Sequence, residues 1–288
     1  MIFKIKTPAK INTFLKITGY DQTSNLHYIE SLMVPVDFYD TLEIEESDKF
    51  EVSVSGMKNA IPTEKNIVFK AYNAFQTALK KRLPSFKVVI NKSIPVGAGL
   101  GGGSSNAAGF IMFLNDHLKL NLTNEKLKEI AFSVGSDVPF FIHPAPAFVS
   151  GKGEIVKSFK LEQISKYLLL IFPEIIVNTS HAYSLFDKKK LTKSSSLNIN
   201  IVRQIETGSL KDWTKVIYND FEELIFEEFP LLPKLKESLL RSGSEKVFMS
   251  GSGSSLIAVF DSEKMREKTF NQFRDKFATV KKIALLTG

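Results

Sequence analysis

Between Gly97 and Gly103 the chain places five glycines in seven positions, and Ser104-Ser105 follow directly. Each glycine held in a fold costs backbone entropy, and an ordinary turn needs one or two. The excess implies a backbone that comes very close to something, either a ligand or another element of the fold. Before the turn, Phe86, Val88 and Ile90 alternate as in a strand, and Pro95-Val96 lead into it. After it, Ala107, Ala108, Ile111, Met112 and Leu114 suggest a buried helix. A turn between a strand and a helix aims its N–H groups along the positive end of the helix dipole, which favours phosphate. Ser104 and Ser105 add hydroxyls for phosphate or a metal ion.

Three phosphate-binding loops need separating. A Walker A loop requires a lysine after its glycines, and none follows here. Gly97-Ala98-Gly99-Leu100-Gly101-Gly102 does match the dinucleotide fingerprint, so a nicotinamide-dependent oxidoreductase is a possible reading. That fingerprint expects an acid about twenty residues later at a strand end. The region Leu120-Asn121-Leu122 supplies none and runs into a helix. The catalytic and metal-binding signatures of protein kinases are absent.

The rest of the chain reads as α+β. Ile11, Thr13, Leu15 and Ile17 alternate with Asn12, Phe14 and Lys16 in a strand. Leu42–Glu45 and Glu51–Val54 repeat that period across a charged turn, which predicts a hairpin. Val68, Ala71, Tyr72, Phe75, Ala78 and Leu79 share a helical face that Pro84 closes. Thr123 caps a further helix, Glu125 lies in its first turn, and Gly135 ends it before Ser136-Asp137-Val138-Pro139. Lys166 to Phe172, Val247–Met249 and Leu256–Phe260 read as strands. Lys188 to Asn200 reads as a mobile basic loop, and a last helix carries Phe270, Phe273 and Phe277 inward. A domain boundary is expected near residues 157–165.

The chain has 288 residues and a formal charge of +7, which suits an anionic partner: nucleic acid, a membrane surface or a small phosphorylated molecule. No run of five like charges supports nucleic acid. The absence of cysteine excludes disulfides, thiolate zinc sites and cysteine nucleophiles. Met1 to Lys6 alternates apolar and basic residues without a signal core, and no long uncharged apolar stretch follows, so a cytoplasmic protein is expected.

Three segments together resemble the GHMP kinases: Pro8-Ala9-Lys10-Ile11-Asn12, the run from Pro95 to Ser105, and Ser250-Gly251-Ser252-Gly253-Ser254-Ser255. Their order and spacing match that family across nearly the whole chain. Gly135-Ser136-Asp137-Val138-Pro139-Phe140-Phe141 is similar to the branch whose acceptor is a cytidine-diphosphate-linked methylerythritol, in non-mevalonate isoprenoid precursor synthesis. The resemblance implies two domains. Residues 1–156 would form an ATP-binding domain like the second domain of ribosomal protein S5, and residues 157–288 a ferredoxin-like domain. It also implies ATP, Mg2+, transfer of the γ-phosphoryl to a 2-hydroxyl, and a monomer or weak homodimer.

The same resemblance assigns roles. Asp137 would accept the hydroxyl proton, paired with Lys10. Pro95, Val96, Gly97, Ala98, Gly99, Leu100, Gly101, Gly102, Gly103, Ser104 and Ser105 would hold ATP. Asn12, His27, Tyr183, Gly251, Ser252 and Gly253 would hold the acceptor, with His27 and Tyr183 at its cytosine. Family members of that branch carry an aromatic where Leu26 stands, so base stacking is expected to differ here. By residue type alone, Asp137 reads as a cap, Lys10 as a solvated strand lysine, Tyr183 as core and the serine-glycine run as a flexible hairpin. Strand alternation sends Lys10 and Asn12 the same way. His117, His143 and His181 lack metal-ligand spacing. A sister kinase acting on mevalonate, phosphomevalonate or homoserine is the nearest alternative, and an S5-like nucleic-acid-binding module the alternative from another class.

Overall fold

The computed structural model describes residues 1–55, 62–162, 165–189 and 199–287, with backbone only at 199–202. A long hairpin organises the first half. β1 (Phe3–Asp21) and β2 (Leu26–Glu46) pair antiparallel from Phe3↔Ile44 to Asp21↔Leu26. β3 (Glu51–Ser55), β4 (Phe86–Asn91), β5 (Ala147–Gly151) and β6 (Ile155–Ser158) extend this sheet. The helices α1 (Ile67–Leu79), α2 (Gly102–His117) and α3 (Asn124–Val134) cover one face. The apolar stripe expected on α1 is buried at Val68, Ala71, Tyr72 and Phe75, and Asn66 caps it. Thr123 caps α3 by accepting from Lys126 N.

The hairpin predicted between Leu42–Glu45 and Glu51–Val54 does not form. β4 lies between the two: Ile44 pairs antiparallel with Val88, and Val52 pairs with Val88 in parallel. Phe86 and Val88 are fully buried, so the most apolar strand takes the interior place and β3 the edge. α1 then links β3 to β4 as a parallel β–α–β unit.

In the second half, β7 (Lys160–Leu161) pairs with β9 (Ser209–Leu210). β8 (Tyr167–Phe172), β11 (Lys246–Met249), β12 (Leu256–Phe260) and β13 (Thr279–Ile283) form an antiparallel sheet in the order β11-β12-β8-β13. Helices α4 (Thr179–Lys189), α5 (Ile199–Glu206), α6 (Asp220–Glu228), α7 (Leu231–Arg241) and α8 (Glu263–Phe273) accompany it. This strand order and the α8 crossover give the expected ferredoxin-like half of a two-domain α+β fold. Phe277 falls beyond α8, so only Phe270 and Phe273 of the expected stripe are helical. The loop expected from Lys188 to Asn200 begins inside α4 and ends inside α5. Its middle, 190–198, lies outside the described residues.

The two halves share a core. Ala9, Ile11, Phe14, Val34 and Val36 of the hairpin pack with Leu168, Leu170, Phe248, Ile257 and Val259 of the second sheet. That contact buries β1 on both faces from Ala9 to Leu15, where simple alternation predicts one. β10 (Tyr218–Asn219) adds to the first sheet beside β1, so the second half contributes a strand to the first. Among the described residues no helix is long and apolar enough to cross a membrane.

The tip of the β1–β2 hairpin is tied to the turn between β5 and β6. Asp21 accepts from Thr23 N, Ser24 Oγ and Lys152 Nζ, the last at 2.6 Å. The Lys152 ammonium, followed by Ser24 and Thr23, holds the Asp21 carboxyl well below the usual carboxylate range. A depressed folded pKa stabilises above the unfolded value, and that gain is lost as pH falls. Asp21→Asn is therefore expected to lower Tm at pH 7 by roughly 1–2 °C, because the pair is solvent-screened. In thermal melts the gap should close on acidification below about pH 4.

Candidate active site

The glycine turn is clamped from behind. Gly97, Gly99 and Gly101 have φ of 67°, 75° and 68°, a left-handed region that side chains disfavour. Between them Ala98 and Leu100 send their side chains into the shared core. Four consecutive carbonyls are each taken, by three other segments of the chain. Gly97 O accepts from Val177 N (3.2 Å), Ala98 O from Ser255 N (3.2 Å), and Leu100 O from Lys10 N (3.0 Å). Gly99 O accepts from Ser250 Oγ at 3.1 Å. None of the N–H groups from Gly97 to Gly101 donates to a described residue. With Gly101 capping α2, this row of N–H groups joins the orphan donors of the first helical turn. Such a surface is complementary to phosphate oxygens.

The turn lines a cleft of about 390 Å³ with Lys10, Asn12, Asn66, Lys92, Ser104, Asp137, Thr179, Tyr183, Gly251 and Ser252. Ser105 is not on it. Its Oγ is buried and has no hydrogen-bond partner among the described residues. His27 and Gly253 also lie off the lining.

Lys10 is where the three motifs meet. Its side chain is 4% exposed, and its Nζ stands 3.5 Å from Asp137 Oδ2 and 2.5 Å from Asn12 Oδ1. A Cβ on Gly251 would come within 3.2 Å of the same Nζ. None of the three register shifts in β1 falls between Lys10 and Asn12, so the two keep one direction, as strand alternation predicts. Asn12 Nδ2 donates to Ser31 Oγ (2.8 Å), which donates to Phe14 O (2.7 Å). That chain fixes the amide so that its oxygen faces the ammonium. Asp137 is one-third exposed, at the turn after α3, with an oxygen open to the cleft. A carboxylate so placed is able to accept a proton from an alcohol bound beside it.

The second serine-glycine run is not a flexible hairpin. Ser250 to Ser255 are all buried. Ser250 Oγ accepts from Asn12 N at 3.2 Å, and Asn219 Nδ2 donates to Met249 O and Gly251 O at 2.8 Å each. Thr179 Oγ1 and Ser252 Oγ are 3.1 Å apart at the cleft wall.

The sequence reading missed Lys92. Its ammonium pairs with Asp40, which is fully buried and also accepts from Ser93 N (2.8 Å) and Ile94 N (2.9 Å). The ammonium lies beside the start of α2, 3.0 Å from where a Gly102 Cβ would be. The only local signal is a lysine three residues before Pro95. Thr179 was also missed; it lies four residues before Tyr183, one helical turn away. His117, His143 and His181 bond to Glu46, Asn124 and Glu228, and no described group of three His, Cys, Asp or Glu could hold a metal ion. Asp137 is the one carboxylate among the described cleft residues, with Ser104 as a neutral oxygen. That donor set fits Mg2+, which takes one or two carboxylates and completes its shell with substrate phosphates and water. The dinucleotide reading fails on topology. After β4 and α2 comes α3, and the next strand, β5, joins β2 antiparallel, so no parallel β–α–β unit follows the glycines.

A backbone anion cradle and a lysine–aspartate pair lining one cleft, on this two-sheet scaffold, define a small-molecule kinase. Comparison with known proteins agrees. Residues 66–144 match the model of the GHMP kinases N terminal domain, and residues 201–279 that of the GHMP kinases C terminal domain. The 4-diphosphocytidyl-2-C-methyl-D-erythritol kinase of Parabacteroides distasonis is 34% identical over 253 residues, 88% of this chain and 90% of that one. The protein of the same name from Thermodesulfovibrio yellowstonii is 34% identical over 282 residues, 96% and 95%. A crystal structure of 4-(cytidine 5'-diphospho)-2C-methyl-D-erythritol kinase shares the fold, with a TM-score of 0.77 at 24% identity over 99% of this chain and 100% of that one. The chain belongs to the GHMP kinase family, and that membership implies the use of ATP.

Proposed function

We propose that the chain transfers the γ-phosphoryl of ATP to the 2-hydroxyl of 4-diphosphocytidyl-2-C-methyl-D-erythritol, giving the 2-phosphate and ADP in the cytoplasm. The observation that carries this reading is the Lys10–Asp137 pair lining the same cleft as the unpaired N–H groups of the glycine turn. The name borne by full-length relatives supplies the acceptor.

In this reading the acceptor oxygen attacks the γ-phosphorus and its proton passes to Asp137. The bond from γ-phosphorus to the β,γ-bridging oxygen breaks, and ADP leaves with that electron pair. Asp137 then returns the proton to solvent. Lys10 holds Asp137 in place and offsets phosphoryl charge, and Asn12 orients Lys10. The segment Pro95–Ser104 cradles the ATP phosphates, with Ser105 buried behind it, and Lys92 adds a cation beside them. Mg2+, with Ser104 and the ATP phosphates as its ligands and Asp137 left free to take the proton, would neutralise charge on the transferring group. Tyr183, Gly251 and Ser252 serve the acceptor from the cleft wall, with residues 1–156 supplying the ATP side and residues 157–288 this one. Catalysis is then positioning plus electrostatics.

The test is ATP consumption with the cytidyl alcohol beside mevalonate, phosphomevalonate, homoserine and galactose. Turnover is expected with the cytidyl compound alone. Turnover of another acceptor, with none of the cytidyl compound, would move the chain to a sister activity.

A further inference from the structure

Gly153 packs against the peptide unit that carries Asp137. It lies in the turn 152–154 between β5 and β6, is buried, and has φ +111°, where side chains are disfavoured. A Cβ there would stand 2.3 Å from Ser136 O and 2.9 Å from Ser136 C. Those atoms belong to the planar unit joining Ser136 to Asp137, so no atom fits between the turn and the Asp137 backbone. The turn is itself held. Gly153 N donates to Ser150 O (3.2 Å) and Lys152 N to Glu154 Oε2 (2.6 Å). Lys152 Nζ donates to Asp21 Oδ2 (2.6 Å) and Ser24 Oγ (3.1 Å) at the hairpin tip. β5 reaches the other member of the pair as well. Its Val149 is the partner of Ser31 on β2, and Ser31 orients the Asn12 amide that meets Lys10. The β2–β5 pair therefore locates Lys10 through Ser31 and Asn12, and Asp137 through Gly153. Among the described residues the Asp137 carboxylate has one ion pair, with Lys10, so its backbone decides the rest of its position.

We infer that Gly153 is a positioning residue for Asp137 and that Lys152 anchors its turn; this rests on Asp137 being the base. An alanine at 153 meets backbone atoms, which cannot rotate away as a flexible side chain does. The Ser136–Asp137 peptide has to shift, and the carboxylate leaves its place beside Lys10. Misplacing a reacting group by about 1 Å costs on the order of 10²-fold in rate. The nucleotide is spared, because the glycine turn is held by Val177, Ser250, Ser255 and Lys10 and not by the β5–β6 turn.

The experiment measures kcat and ATP affinity of full-length Gly153→Ala, in wild-type and Asp137→Asn backgrounds, with whichever acceptor the protein turns over. In the wild-type background kcat should fall about 10²-fold while the Kd for ATP stays within about threefold. In the Asp137→Asn background the same change should cost less than about twofold, because the group it displaces no longer takes up a proton. Gly208→Ala is the control. Gly208 has φ +86° and nothing within 4 Å of its would-be Cβ, so alanine there carries backbone strain alone and kcat should match wild type. Lys152→Gln adds no atom to the packed turn and serves where Gly153→Ala does not fold. It should lower kcat about threefold, again only with Asp137 present. An unchanged kcat in Gly153→Ala, or in Lys152→Gln where the first variant does not fold, overturns the inference. So does a loss that persists in full without Asp137. Wild-type turnover by Asp137→Asn alone would instead remove the base, so the two failures are told apart.

Discussion

Replacing Asp137 by asparagine should cut kcat by about 10³-fold, the contribution expected of a positioned general base, while ATP affinity stays within about threefold. Asparagine keeps the size of the side chain and an oxygen able to accept from Lys10. What it loses is the capacity to take up a proton. Lys10 is bonded to Asn12 and nearly sealed from water, so it keeps its place in the variant. The nucleotide's anchor, the row of N–H groups from Gly97 onward, is held by bonds to Lys10 N, Ser250 Oγ, Ser255 N and Val177 N. Asp137 takes part in none of these. Steady-state kinetics with calorimetric titration of ATP separates the two effects. Unchanged turnover would remove Asp137 from proton transfer. A parallel loss of ATP affinity would make it part of the nucleotide site instead.

Gly99→Ala is expected to have the largest effect on the fold among changes in the glycine turn. Gly99 has φ +75°, which costs an alanine about 1–2 kcal/mol by itself. A Cβ there would also run into the carbonyl oxygen of Ser250 and come within 3.1 Å of Gly253 N. Both are backbone atoms of a buried run and cannot swing aside. The combined loss should be about 2–4 kcal/mol, with ATP affinity falling because the two turns separate. Gly103→Ala is the matched control. It lies in the first turn of α2, and its Cβ would meet only Ile67 Cγ2, at an ordinary 3.7 Å. Its stability should be unchanged or slightly raised, since alanine favours helix. Denaturant melts of both variants, beside ATP titrations, check this. Equal stability of the two would mean that the clamp between the turns is not what holds the fold.

This contrast sharpens what the glycines are for. Their abundance was legible as backbone needing close approach, but not what approaches. Gly99 is required by Ser250, and Gly101 by the Phe141 ring, 2.9 Å from its would-be Cβ. Close packing within the protein explains those two, and only the N–H side of the turn is left for a ligand. The same division runs through the rest of the site. Lys10, Asn12 and Asp137 were readable as candidates through family resemblance, and strand alternation correctly put the first two on one side. Ser31, which orients Asn12, and the Asp40–Lys92 pair were not, because each depends on a partner far away in the chain.

Period, capping and turn chemistry are local properties, and they specified α1, α2, α3, the middle of β1, the end of β2 and the glycine turn from residues a few positions apart. Pairing is not local. Whether β3 or β4 lies beside β2 depends on which strand buries more apolar surface, and that comparison exists only once the whole sheet competes for one core. Burial of β1 on both faces likewise required the second sheet to arrive. So did the meeting of Lys10 with Asp137 and Gly251, and the covering of His27 by Tyr183 and Asp187 from α4. Elements are set by neighbours in sequence; the site is set by which distant surfaces exclude water together.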